Sequence, residues 1–321
     1  MRQRIVLIGE SPLVLFLAEA LDKSVANLVQ TDVVWLTTEA AIICLSHQQS
    51  MSAHQKIINK KSHLNHVRLI NNRVNSINLV ERRLITDRGT LTYDYLFIDQ
   101  ASSYRPGELK TITDQLKKLT AAIKAAVNTG DKPAAEIFCK GQSAESYQLA
   151  LNIRAELVHE QVARQVSVMC EGDRPDDLKK FLTAAGLKVG RRRLEKPGLT
   201  IQAPAILDLR KIRGLKIDAQ YQAMTGSTAQ VLGHPEVMIL NSRPRFRQNL
   251  LRFQKTLGQR LAKSLINIVE SREPLTVELE QSALLLTHGE ESFVWLGKLM
   301  SRRTRGRIIR QLDRRLHSKL R

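Results

Sequence analysis

Two short turns carry the residue types best suited to chemistry. Gly9-Glu10-Ser11-Pro12 follows a branched apolar run, and Lys140-Gly141-Gln142-Ser143 follows another about 130 residues later. A glycine after a strand allows a sharp turn, and a helix opening there aims backbone N–H groups and its positive dipole end at the turn, which is the chemistry of phosphate binding. Ser11 and Ser143 can donate to phosphate oxygens. The plain alternative for each turn is a glycine corner opening an ordinary helix. The eight histidines give no metal-ligand pattern: His63 and His66 are three apart, without an acidic or cysteine partner at ligand spacing. Cys44, Cys139 and Cys170 are odd in number and far apart in sequence, so they offer neither a disulfide framework nor a Cys-x-x-Cys pair, and a reducing cytosol is the simplest compartment.

The elements that must position these turns read as an α/β chain. Ile5 to Ile8 is a strand, Leu13 to Leu21 has helical spacing, and Asp32 to Leu36 is a second strand. Short strands follow at 67–70, 76–79, 83–85 and 95–98, with Asp87-Arg88-Gly89 as a hairpin turn. A lysine-rich helix covers 112–127, and residues 128–133 read as a linker. The first pattern then recurs: strand 135–139, turn, helix 145–159, strand 165–170. Helix 177–185, an extended run 201–209, strand 237–240, a helix from about 248 to 270, and strands 275–279 and 283–287 complete the reading. The chain of 321 residues, 43% apolar, can bury a sizeable core. No segment approaches the roughly 20 apolar residues needed to span a bilayer, and the first apolar run is interrupted too soon for a signal peptide.

Charge is the outlying property, at +19 overall. Residues 301–321 hold nine Arg or Lys and one Asp, a net +8. Ile308, Ile309, Leu312, Leu316 and Leu320 fall within about 120° on a helical wheel, opposite Arg307, Arg310, Arg314 and Arg321, and Phe293, Trp295, Leu296 and Leu299 precede them. Such a basic amphipathic helix suits an anionic membrane, with Trp295, Arg302, Arg303, Arg307, Arg310, Arg314 and Arg315 as its contacts. The same stripe could instead pack on its own domain, on a second copy of the chain, or on another protein. Nucleic acid is a third partner class, disfavoured by an aromatic content of 4%.

A further set of residues carries a family resemblance. Leu91 to Tyr104 resembles the "YDYLVIATGSSY" segment of flavin-dependent pyridine nucleotide oxidoreductases: Tyr93, Asp94, Tyr95, Leu96, Ile98, Ser102, Ser103 and Tyr104 match, while Asp99-Gln100-Ala101 stands for Ala-Thr-Gly. Gly9, Ser11 and Val14 stand at the three glycines of the first Gly-x-Gly-x-x-Gly signature, and Gly141, Ser143 and Ser146 at those of the second. His234 to Ser242 resembles the family's "hpnVfaiGD", with Asn241-Ser242 for Gly-Asp. The Ala-Gln-x-Ala-x-Gln motif that lines the family's flavin and quinone site corresponds to Leu251 to Thr256 and is absent, although Gly258, Ala262 and Lys263 match its helix. The chain is similar most of all to type II NADH:quinone oxidoreductases within the FAD/NAD(P)-binding pyridine nucleotide-disulfide oxidoreductase superfamily.

The resemblance implies an α/β fold of two Rossmann-like domains. An FAD-type domain, 1–125 and 225–275, is split by an NAD(P)-type domain, 126–224, and residues 276–321 form C-terminal strands with the basic amphipathic region. It implies FAD and NADH as cofactors, quinone as acceptor if the chain is active, and a cytoplasmic location peripheral to the inner membrane. Cofactor contacts would fall on Gly9, Ser11, Pro12, Ala101, Ser102, Gly141, Ser143, Glu171, Asn241 and Ser242. The departures cluster on ligand positions while framework positions persist. The favoured expectation is therefore a cofactor-poor relative acting as a pseudoenzyme or scaffold at the membrane, with no catalytic residue assigned. One alternative is an active flavin-dependent NADH:quinone oxidoreductase with divergent motifs, and another is a nucleic-acid-binding protein on a borrowed fold.

Overall fold

The computed structural model describes residues 3–25, 30–38, 41–45, 55–59, 64–100, 106–131, 134–140, 144–171, 176–190, 198–202, 207–219, 221–241, 251–277, 283–288, 291–296 and 299–301. The first unit forms as its pattern requires, with β1 (Gln3–Ile8), α1 (Pro12–Val25) and β2 (Thr31–Thr37). Pro12 stands at the first helical position, where a missing N–H costs nothing. A hairpin of β3 (Ala41–Leu45) and β4 (Gln55–Asn59), unforeseen in the sequence, comes next. After β5 (Arg68–Asn71), the strands β6 (Val74–Asn78), β7 (Arg83–Thr86) and β8 (Gly89–Thr92) make an antiparallel meander that turns at Asp87-Arg88, and β9 (Tyr95–Asp99) follows.

Helix α2 (Pro106–Asn128) buries Leu109, Ile112, Leu116 and Ile123 along one face and exposes its lysines on the other, so the lysine-rich composition is a solvated face. The second unit is β10 (Ala135–Lys140), α3 (Ala144–His159), β11 (Val166–Glu171), α4 (Asp176–Ala184), β12 (Leu187–Gly190) and β13 (Leu199–Gln202). The chain then runs through β14 (Ile212–Arg213), β15 (Gln230–Val231), β16 (His234–Leu240) and α5 (Leu251–Val269) to β17 (Ala283–His288), β18 (Glu291–Leu296) and β19 (Leu299–Ser301).

The main sheet has the order β5-β2-β1-β9-β16-β15, parallel except for β15. Winding runs outward from β1 in one direction through β2 and β5, and in the other through β9 and β16, so the switch point lies between the carboxyl ends of β1 and β9. The second sheet, β12-β11-β10-β13, is wholly parallel and repeats this plan on a smaller scale. Two doubly wound parallel sheets are the α/β architecture expected from the sequence.

Alternation along the strands builds two cores on the main sheet. Ile5, Leu7, Val33, Trp35, Phe97, Met238 and Leu240 face α1 and α5. Val6, Ile8, Val34, Leu36, Leu96, Ile98, Val237 and Ile239 face the meander residues Ile77, Leu79 and Leu84. Helix α5 crosses α1 at Gly258, where an added Cβ would lie 2.9 Å from the Leu17 N atom and 3.0 Å from the Leu13 carbonyl oxygen. The retained Tyr93-Asp94 frame is structural: Asp94 accepts from the Arg4 N–H at 2.7 Å and returns its own N–H to the Arg4 carbonyl at 2.9 Å, fixing β9 beside β1. Tyr93 is buried, and burial together with Glu236 raises its phenol above the ordinary range.

The structure departs from the sequence reading at the carboxyl end. Glu273 to Val277 is described without strand pairing, so the expected strand at 275–279 does not form over those residues. Phe293, Trp295, Leu296 and Leu299, read as the approach to a helix, lie in or beside a three-stranded antiparallel sheet in which Trp295 pairs with Leu284 and Met300. That sheet packs through β17 on α3, which explains why α3 buries residues nearly all round, including Tyr147, Gln148, Leu151 and Asn152. Residues 302–321, with the six arginines assigned to a membrane contact, lie outside the described residues, as do Ala101, Ser102, Gly141, Ser143 and Ser242.

Candidate functional site

The crevice at the carboxyl ends of β1, β9 and β16 is where an open α/β sheet places a ligand. Gly9 leaves β1 with φ +148°, and a Cβ there would come within 2.8 Å of both the Asp99 Cβ and the Val14 Cγ2. Glycine is required by conformation and by space. Val14 is fully buried and fills the hollow over Gly9, whereas in the phosphate-binding version of this turn a third glycine brings helix and strand together.

Ser11 caps α1, its carbonyl receiving the Val14 N–H at 3.1 Å. Its hydroxyl donates to the Asp99 carboxylate, and both residues are buried. A side-chain carboxylate therefore stands at the amino end of α1, the place that an incoming phosphate would seek, and Pro12 contributes no N–H to that place. The Gly9 carbonyl is held from beneath by the Trp35 indole N–H at 3.0 Å.

The end of β2 is also occupied, by a residue that the sequence reading missed. The Glu10 carboxylate, arriving from the preceding turn, accepts from the Thr37 hydroxyl at 2.8 Å and the Thr38 N–H at 2.7 Å. On the other side of the switch point, the Gln100 N–H continues the sheet to the Leu240 carbonyl at 3.0 Å. Asn241 clasps Ala223 by accepting from its N–H and donating to its carbonyl, both at 2.9 Å. Gly9, Ser11, Pro12 and Asn241 thus lie at one crevice, where Ser11 and Asn241 spend their side-chain donors on the protein itself. Flavin diphosphate does not fit this turn as it stands, because its place is filled by Asp99, Val14 and the Ser11 hydroxyl.

In the second unit, Glu171 ends β11 half-buried, and Ser146 is buried in the first turns of α3, small enough for close helix-strand packing. Register also pairs Cys139 with Cys170, a proximity invisible at their sequence spacing. Burial pushes the Cys170 thiol up to about 12 and the Cys139 thiol well above its ordinary value, with Cys170 adding to the latter. Both are core thiols, protonated at neutral pH. Among the described residues, Glu156, His159 and Glu160 in and just past the last turn of α3 are the one group whose ligand atoms converge, on an exposed surface where Glu160 already pairs with Lys124 at 2.5 Å.

No protein-family model and no curated protein matches the sequence. Solved structures do match in fold. Sulfide:quinone oxidoreductase from Aquifex aeolicus aligns with TM-score 0.70 at 9% identity, over 99% of this chain and 91% of that one. A chain of the Tetrahymena thermophila mitochondrial ATP synthase aligns with TM-score 0.58 at 10% identity, over 94% and 87%. A ferredoxin reductase from Rhodopseudomonas palustris aligns with TM-score 0.57 at 10% identity, over 91% and 81%. Together with the two parallel sheets and their switch points, these likenesses show that the chain has the fold of the FAD/NAD(P)-dependent pyridine nucleotide-disulfide oxidoreductases.

Proposed function

We propose that this protein uses the oxidoreductase fold, in its type II NADH dehydrogenase-like form, as a cofactor-poor scaffold at a membrane surface rather than as a flavin catalyst. The observation that carries the reading is the Asp99 carboxylate hydrogen-bonded to Ser11 at the amino end of α1, with Val14 packed over Gly9. A carboxylate in that place repels a diphosphate and consumes the donor that would bind it. Hydride transfer in this fold is the work of flavin and nicotinamide, the protein supplying binding and orientation. A turn that cannot seat the diphosphate leaves the chain with surfaces rather than a redox centre. The occurrence of the fold in a chain of a mitochondrial ATP synthase supports its use inside a large assembly. No described helix is long and apolar enough to cross a membrane, so membrane attachment in this reading is peripheral, through the basic residues at 302–315.

A second reading, an active NADH:quinone oxidoreductase, draws support from Glu171 at the end of β11. Quinone reduction by NADH, measured with the purified chain before and after incubation with excess FAD, separates the two. The scaffold reading expects no turnover in either case, and FAD-dependent turnover would overturn it.

A further inference from the structure

Between Glu236 and Glu270 the sequence has seven Lys or Arg and no acidic residue. Four of these cations, Arg252, Lys255, Arg260 and Lys263, are on α5. Arg252, Arg260 and Lys263 are exposed, and Lys255 is half-buried. At 100° per residue, the three exposed cations fall within about 80° of one another on the helix, and the other exposed residues of that face, Thr256 and Gln259, are neutral. Among the described residues none of the four makes an ion pair, although Glu81, Glu160, Asp208, Glu236 and Glu270 all find cationic partners elsewhere on the molecule.

The opposite side of α5 is locked in place. Gly258, Leu261, Ala262 and Leu265 are buried, and Gly258 lies against the backbone of α1. The helix can neither roll nor insert its apolar side into lipid. What it presents is a rigid row of cationic heads, about 16 Å from Arg252 to Lys263 at 1.5 Å per residue. Three heads on one narrow arc of a straight helix can meet a plane together. A single-stranded nucleic acid would call for aromatic stacking along the groove, and the one aromatic residue of α5, Phe253, is half-buried rather than displayed.

We infer that the outward face of α5 is a second anionic-lipid contact, seating the main sheet flat on a bilayer independently of the basic residues at 302–315. This rests on the membrane-surface reading above. The test is co-sedimentation of the full chain with vesicles of phosphatidylcholine alone or with about a third phosphatidylserine. Three forms are compared: wild type, Arg252→Gln/Arg260→Gln/Lys263→Gln, and Arg307→Gln/Arg310→Gln/Arg314→Gln/Arg315→Gln, each checked by far-UV circular dichroism and thermal midpoint.

The expected result is binding to the anionic vesicles alone, with partition falling on the order of a hundredfold in the α5 variant and a measurable remainder in the other, since each of the three basic residues near the surface contributes about fivefold. Wild-type binding with an unchanged α5 variant would overturn the α5 contact while leaving the membrane reading standing. Absence of wild-type binding would overturn both. Binding to a duplex or single-stranded oligonucleotide that the α5 substitutions abolish, with vesicle binding unaffected, would reassign the face to nucleic acid.

Discussion

If the amino end of α1 is closed by its own side chains, Ser11 and Asp99 must be energetically coupled. Both are buried, and the Ser11 hydroxyl donates directly to the Asp99 carboxylate. A hydrogen bond involving a charged group contributes about 1.5–3 kcal/mol, and stranding a buried partner costs at least as much. Ser11→Ala should therefore destabilise the native state by about 2 kcal/mol or more, because the carboxylate loses a donor. Asp99→Ala should cost a similar amount, while Asp99→Asn, which keeps an acceptor of the same shape, should cost less. Once either side chain is gone, removing the other should add little, so the double variant is expected to fall short of additivity by about 1.5–3 kcal/mol. Urea unfolding of the four forms, with slopes checked for constancy, reads this coupling. Additivity within about 0.5 kcal/mol would mean that the carboxylate is not committed to the turn, and the reasoning that it displaces a phosphate would fail.

Other expectations follow from single contacts. Gly258→Ala should cost about 1–3 kcal/mol or more, because the new methyl meets backbone atoms of α1 that cannot give way. Thermal unfolding of that variant against Gln259→Ala, an exposed neighbour on the same helix, provides the comparison. Stability should fall as pH rises above about 9: the unfolded thiols of Cys139 and Cys170 release protons near their ordinary value, whereas burial keeps the native ones protonated, Cys170 up to about 12. The native state then binds more protons than the unfolded one, and each thiol loses on the order of 1.4 kcal/mol per pH unit across that window. Cys139→Ala/Cys170→Ala should flatten this alkaline slope in urea titrations, and an unchanged slope would contradict the burial of the pair. Asn241→Ala should open the clasp on Ala223 and cost about 1–3 kcal/mol, whereas Asn241→Asp, which retains the acceptor but loses the donor, should recover part of it.

The first strand-turn-helix-strand unit was legible because burial on both faces of a parallel sheet demands continuous apolar runs such as Ile5 to Ile8, and α1 carries its apolar residues at helical spacing. The Gly9 turn was legible for a local reason, since φ +148° with a neighbouring Cβ leaves no other residue type. The partners of that turn were not. Glu10 reaches the end of β2 across 27 residues and Ser11 reaches Asp99 across 88, so their roles depend on which strand ends the sheet gathers. The pairing of Cys139 with Cys170 was hidden for the same reason, set by the register of β10 on β11 rather than by spacing. At the carboxyl end, Phe293, Trp295, Leu296 and Leu299 mix steps of two, one and three. That spacing suits neither period cleanly, and strand pairing decides it in favour of β18 and β19.

The sealed turn is tested most directly by the flavin content of the purified chain, isolated without denaturant in the presence of added FAD and assayed by fluorescence of flavin released with acid. Far less than one flavin per chain is expected if Asp99, Ser11 and Val14 occupy the diphosphate place. A stoichiometric flavin, retained through gel filtration, would contradict it.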